Sequence, residues 1–300
     1  IWGVLKVSLI KLRPIFCYDL IKTMNLILLH LATTLSYALL SLIIWRQLST
    51  ANAESGVLVQ TKPWLNLLSL LPIGLHIALT YHYSVGSAGL QLGLGNFASL
   101  IVATTCLIYA CYGLWVGKKS LPALSLPFGA IASLLPLLDG PTTHIPNSEL
   151  PIFKIHLMLS IVAYGVLSVS LIHAVFMSYV EKSLHQHKLS PIINHLPPLL
   201  KLEGLLFTII LIGFITLSAA LISGGLVSNE IQSSTFQMNH KIIFSLASWL
   251  LFASLLIGRY FLGWRGKATR KILVMGFLFL ILAYFGSRFV SEIILRNPQY

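Results

Sequence analysis

The chain has 300 residues, of which 56% are hydrophobic and only 9% charged, with a mean hydropathy of +0.86. A soluble domain carries about 25% charged residues, so this composition excludes a water-soluble fold and points to an integral membrane protein. The net charge of +12 does not signal nucleic acid, because Lys and Arg fall between apolar runs rather than along one face.

Residues 1–23 read poorly as a signal peptide, since Lys6, Lys11, Arg13 and Pro14 interrupt any apolar core. Met24 is expected to be the start, with the earlier residues an upstream tail. An interfacial amphipathic helix is the rival reading for them. From there the apolar runs approach the roughly 20 residues that a helical span needs. Lipid satisfies no exposed backbone group, so helices are the natural spanning form, and the short alternating strands of a barrel are not found. Eight spans are expected, near 25–45, 64–83, 96–116, 121–138, 153–179, 203–223, 241–262 and 272–294. The fourth holds Pro122, Pro127 and Pro136 and is expected to be kinked or partly re-entrant. The fold expected is therefore all-α, a single membrane bundle over residues 24–300.

Charge sets the orientation, because cytoplasmic loops collect Lys and Arg. Alternate loops carry Arg46, Lys62, Lys118, Lys119, Lys182, Lys188, Lys201, Arg259, Arg265, Lys267, Arg270 and Lys271. The opposite set, from Met24 onward, carries only Lys154, Lys241, Arg288 and Arg296. Both termini are thus expected outside, with the basic turn Gly263-Trp264-Arg265-Gly266 inside. The outer loops would be residues 84–95, 139–152 and 224–240. The first is Gly-rich but lacks the phosphate-binding order and a preceding strand, so a flexible capping loop is expected. Cys17, Cys106 and Cys111 show no Cys-x-x-Cys spacing, which argues against a thiol relay or covalent haem attachment.

Ten histidines stand against only eight acidic residues. His185, His187 and His195 fall in a long inner loop without a dense carboxylate partner, where a solvated loop is favoured over a metal site. His30, His76 and His173 lie within spans, and His82, His144, His156 and His240 at the outer face. A polar side chain within a span is costly and faces the bundle interior. His76, Thr80 and Tyr83 share a face of the second span. His156, Ser160, Ala163, Ser170 and Ala174 form a small or polar face of the fifth, the kind that lets helices approach closely. His156 sits at the outer mouth of its helix, and neutral imidazole is a standard axial ligand for haem iron. Lys154 and Lys241, at outer helix starts, suit haem propionates or plain interfacial snorkelling.

The stretch from Lys154, KIHLMLSIVAYGVLSVSLIHAVFM, resembles the helix of CcsA-type cytochrome c assembly proteins that begins with an external haem-ligand histidine, through His156, Ser160, Ala163 and Tyr164. Asn96 and Ser99 in LGNFASLIV resemble a second family segment. Lys241, Trp249 and the Gly-Trp-Arg-Gly turn resemble a third. PPLLKLEGLLF at 197–207 and LAYFGSRF at 282–289 are similar to the divergent YpjD/HemX-like branch. The resemblance covers most of residues 64–294. It implies a bacterial inner membrane protein that binds haem b, with lipid and other cytochrome c assembly proteins as partners. Where the family carries a Trp-x-Trp-Asp loop, IQSSTFQMNHK has neither Trp nor Asp. Ile257 and Arg288 or Val290 occupy its later histidine positions.

The expected function is haem handling or cytochrome c biogenesis without the intact tryptophan-rich loop, rather than catalysis of thioether formation. His156 is the first iron ligand and His240 its expected partner, with His82 and His144 in reserve. Lys241, Trp249, Phe252 and His76 complete the cofactor candidates. Two other readings stay open: a haem-free scaffold or regulatory subunit on the same fold, and a small-solute transporter.

Overall fold

Every long apolar run forms a helix, because in this composition only intrahelical bonding pairs the backbone. The computed structural model describes residues 24–47, 63–86, 89–116, 122–139, 145, 147–186, 199–231 and 240–286. His144, His187, His195, Cys17 and residues 1–23 lie outside these, as do residues 232–239 of the stretch IQSSTFQMNHK and residues 287–300. In order the helices are α1 (Met24–Gln47), α2 (Pro63–Leu68), α3 (Leu70–Ser84), α4 (Leu94–Val116), α5 (Pro122–Ala132), α6 (Pro151–His185), α7 (Leu199–Ile231), α8 (His240–Leu262) and α9 (Lys267–Ile281). Among the described residues six stretches are long and apolar enough to cross a membrane: α1, α4, α6, α7, α8, and α9 with the wide turn Leu282–Gly286 that continues it. This is an all-α membrane protein.

The two remaining expected spans are interrupted, and proline explains both. The 64–83 segment divides at Ser69 into α2 and α3, where Pro72 has no N–H to offer the Leu68 carbonyl. The 121–138 segment is α5, with Pro127 inside it, followed by a tight 3-10 turn over Leu135–Leu138 that contains Pro136. By contrast α6 and α7, with 35 and 33 residues, exceed the roughly 20 residues that a bilayer core requires.

α4 is the wall shared by two apolar clusters. Tyr37, Ile44, Leu65, Ile73, Cys106, Ala110 and Leu126 pack together from α1 to α5. Phe97 and Ile101 face the other way, into a cluster with Leu167, Leu206, Ile210, Phe252, Leu255 and Leu280. Parallel α4 and α6 are tied by Thr105 to the Gly165 carbonyl (3.4 Å) and Tyr109 to the Val169 carbonyl (3.3 Å), the same sequence offset one turn apart.

An acidic side chain fastens each end of the bundle. At one end the Asp139 carboxylate accepts the Gly95 and Asn96 amides at 2.6 and 2.7 Å, capping α4 across the fold. The glycine-rich stretch is therefore more specific than a flexible cap. After a two-pair hairpin, Val85–Gly86 with Gly89–Leu90, a Cβ at Gly93 would strike Asp139 and one at Gly95 the Leu135 carbonyl. At the opposite end Glu203 of α7 accepts the Gly266 amide at 3.0 Å and lies 3.8 Å from Arg259. Glu181 of α6 pairs with Arg270 and lies 3.9 Å from Lys267. Trp264 covers Gly258, whose hydrogen side chain leaves room for the indole, and Arg259 stands 4.7 Å over the Phe207 ring.

Two outcomes follow. Asp139→Asn removes the charge from both capping bonds and lowers the unfolding midpoint in detergent, by about 2 kcal/mol of stability. Glu203→Ala frees the turn: hydrogen exchange over residues 264–270 should accelerate about tenfold, with the α4 amides unchanged.

Candidate functional site

His156, the first of the expected residues, lies in the antiparallel seam between α6 and α7. The register of the seam is given by His156 against Ala220 near one end and His173 against Leu202 near the other. Gly213 keeps the axes close, since a Cβ there would lie 2.5 Å from the Leu167 side chain.

His156, in the second turn of α6, is half-buried. Its Nδ1 lies 3.0 Å from the Ala220 carbonyl and 3.2 Å from the Ser223 hydroxyl oxygen. The Ser223 hydroxyl itself donates to Ala220 (2.9 Å), so both oxygens beside Nδ1 are acceptors. Nδ1 must therefore carry the proton, and Nε2 presents a bare lone pair with no hydrogen-bond partner among the described residues. An imidazole whose Nδ1–H is held by a backbone carbonyl is the form that ligates metal. Gly224 makes the pose possible, because a Cβ there would sit 2.9 Å from His156 Cε1.

The other expected residues are distributed. His240 and Lys241 occupy the first turn of α8 and are exposed. Trp249 donates to the Ser218 hydroxyl at 2.8 Å and stacks on Phe214, with centroids 5.2 Å apart. At about 100° per residue, Phe214 and Ser218 face away from Ala220, Ser223 and Gly224, so α7 stands between Trp249 and His156. Phe252 is fully buried in the core. His82 is exposed on α3, edge-on to Tyr83. His76 is fully buried and engaged at both nitrogens, by Tyr37 (3.2 Å) and Ser99 (2.7 Å). The structure thus brings none of these side chains onto His156.

Ser223, Gly224 and Ala220 escape sequence reading. Their only signal is a Ser-Gly-Gly step in an apolar helix, and nothing local says which histidine lies opposite. Gly224→Ala should displace the imidazole and cost about 1–3 kcal/mol. Gly225→Ala, with open space around its Cβ, should stay within about 0.5 kcal/mol; unfolding midpoints in detergent compare the two.

Comparison with known proteins agrees with a membrane protein. A family model described as "Cytochrome C assembly protein" matches residues 64–295. The chain is similar to the inner membrane protein YpjD of Escherichia coli K12, 28% identical over 272 residues, covering 86% of this chain and 98% of YpjD. It is 25% identical to an uncharacterized 28.8 kDa protein of Azospirillum brasilense over 208 residues, 68% of this chain and 76% of that one. A cytochrome c biogenesis protein CcsA of Prochlorococcus marinus is 32% identical over 91 residues, 30% of this chain and 29% of CcsA. No solved structure matches.

Proposed function

The chain belongs to the cytochrome c assembly protein family, and on that premise we propose that it binds haem b and handles it for cytochrome c biogenesis, with His156 as an axial ligand. It is a multi-pass inner membrane protein. In this reading residues 24–300 form one domain crossing the membrane eight times. Both termini and His156 face outward, and the Gly-Trp-Arg-Gly turn lies inside, where its cations match the positive-inside bias.

The observation that carries the reading is the held tautomer of His156. Ala220 and Ser223 orient the ring and keep Nε2 unprotonated, the state that iron requires of an imidazole ligand. Haem held there would supply the redox-active iron, and the chain would supply orientation and a lipid-shielded flank. His240 is the candidate for the second ligand, since it begins α8 at the end of the bundle where His156 lies. Lys154, which pairs with Glu149 at 2.9 Å, and Lys241 are the cations placed to meet propionates. Trp249 and His76, committed to other contacts, have no part in this ligand set. Membrane lipid and other cytochrome c assembly proteins are the partners that the reading implies.

The test is a visible spectrum of protein purified in detergent from haem-replete cells. A Soret band is expected in the parent, lost or shifted in His156→Ala and weakened in His240→Ala. A folded parent without the band would overturn the reading in favour of a haem-free scaffold.

A further inference from the structure

α1 and α3 cross the first half of the bundle antiparallel, and they meet through two reciprocal histidine–tyrosine pairs. His30 of α1 faces Tyr83 of α3, with Nε2 3.0 Å from the hydroxyl and centroids 5.6 Å apart. Two turns along, the order reverses: Tyr37 of α1 faces His76 of α3, with the hydroxyl 3.2 Å from Nδ1 and centroids 5.5 Å apart. The pairs look alike, but the second nitrogen of each histidine differs. His30 Nδ1 lies 2.7 Å from the Ser133 carbonyl, which only accepts, so His30 has one tautomer. The same holds for His156 against Ala220 and for His173, whose Nε2 donates to the Leu202 carbonyl at 3.2 Å. His76 alone among the described buried histidines has a hydroxyl at each nitrogen, Tyr37 at Nδ1 and Ser99 at Nε2 (2.7 Å).

A hydroxyl donates or accepts according to how it turns. The surroundings of His76 therefore accommodate either neutral tautomer, and they also accommodate the imidazolium with both oxygens accepting. One turn along α4 from Ser99 stands Asn96. Its amide nitrogen donates to the Ser84 hydroxyl at 2.9 Å, and Thr80 and Ser84 extend the polar face of α3 to the end of the helix. Asn96 is 1% exposed, yet its Oδ1 has no partner among the described residues. A buried acceptor left open in a polar seam is the place for a water molecule.

We propose that His76 is a proton-exchange site within the membrane, fed from water at the Asp139 end of the bundle through Asn96 and Ser99 and bounded on its far side by Tyr37. The step moves only a proton. One proton passes from water through the Ser99 hydroxyl to Nε2 while Nδ1 keeps its own. The cation is held between two accepting oxygens, and release from Nε2 through the Ser99 hydroxyl returns a proton to that water and restores the neutral ring. The titratable groups around the seam are His30 and Tyr37 on α1, Tyr83 on α3, Cys106 on α4 and Asp139 beyond the 3-10 turn. Asp139 is already committed to the Gly95 and Asn96 amides. The site shares no residue with the His156 seam, so it stands whether or not haem binds there.

The experiment is solid-state nitrogen NMR of the full chain, labelled at histidine and held in lipid bilayers, with His76 assigned by difference from His76→Gln. The parent should show His76 in both tautomers, exchanging with solvent, beside single-tautomer signals for His30, His156 and His173. Ser99→Ala should leave only the Nδ1–H form, and Tyr37→Phe only the Nε2–H form. These opposite shifts are ones that loss of packing alone would not produce. A single unchanging tautomer for His76 in the parent between about pH 5 and 8, or variants that leave the mixture as it was, would overturn the proposal.

Discussion

Within a bilayer the backbone of each helix is satisfied by itself. A hydroxyl such as Thr80 bonds back to its own helix, but a buried imidazole must find its partner on a neighbouring element. The rest of this structure depends on that requirement. An unpaired buried polar group costs several kcal/mol in hydrocarbon, and the interior here holds His30, His76, His173, Thr80, Asn96 and Ser99. Each of these histidines reaches across to another helix or turn: His30 to Ser133 and Tyr83, His76 to Tyr37 and Ser99, His173 to Leu202. Apolar packing against lipid-like neighbours is permissive about sliding. A hydrogen bond to one carbonyl is not, so these contacts set the helical register.

The same logic at the two ends uses acids. Asp139 caps α4, while Glu203 and Glu181 draw in the Gly266 amide, Arg259 and Arg270. Both ends thus use a carboxylate from a distant segment to hold a helix start, where backbone N–H groups have no partner of their own. These are inter-element locks, and they leave the middle of α6 and α7 to pack through Gly213 and Leu167. The His156 seam and the His76 seam then lie on opposite sides of α4, one in each half of the bundle.

Much of the architecture was legible in sequence because its cause is local. Apolar run length marks helices, Pro127 and Pro136 mark the irregular fourth segment, and the basic residues flanking Gly-Trp-Arg-Gly mark a loop; the break before Pro72 in the segment expected as 64–83 was not foreseen. The likeness of that turn and of the His156 helix to one protein family agrees with the match over residues 64–295. Trp249 was not legible, because a tryptophan at helical spacing reads the same whether it flanks a ligand or, as here, stacks on Phe214 and bonds Ser218. Nor did the Gly-rich stretch disclose Asp139, which lies 44 residues from Gly95 in the chain.

What the sequence by itself determined is the class and the candidates: an all-helical membrane protein, its proline-interrupted fourth segment, its family, and a short set of histidines. These follow from composition and near-neighbour spacing. Only the tertiary structure decided what each histidine is able to do. Chemical role depends on whether the opposing oxygen is a carbonyl, as for His156 at Ala220, or a hydroxyl, as for His76 at Ser99 and Tyr37. That oxygen belongs to a residue dozens of positions away, and only the packing of helices brings it near.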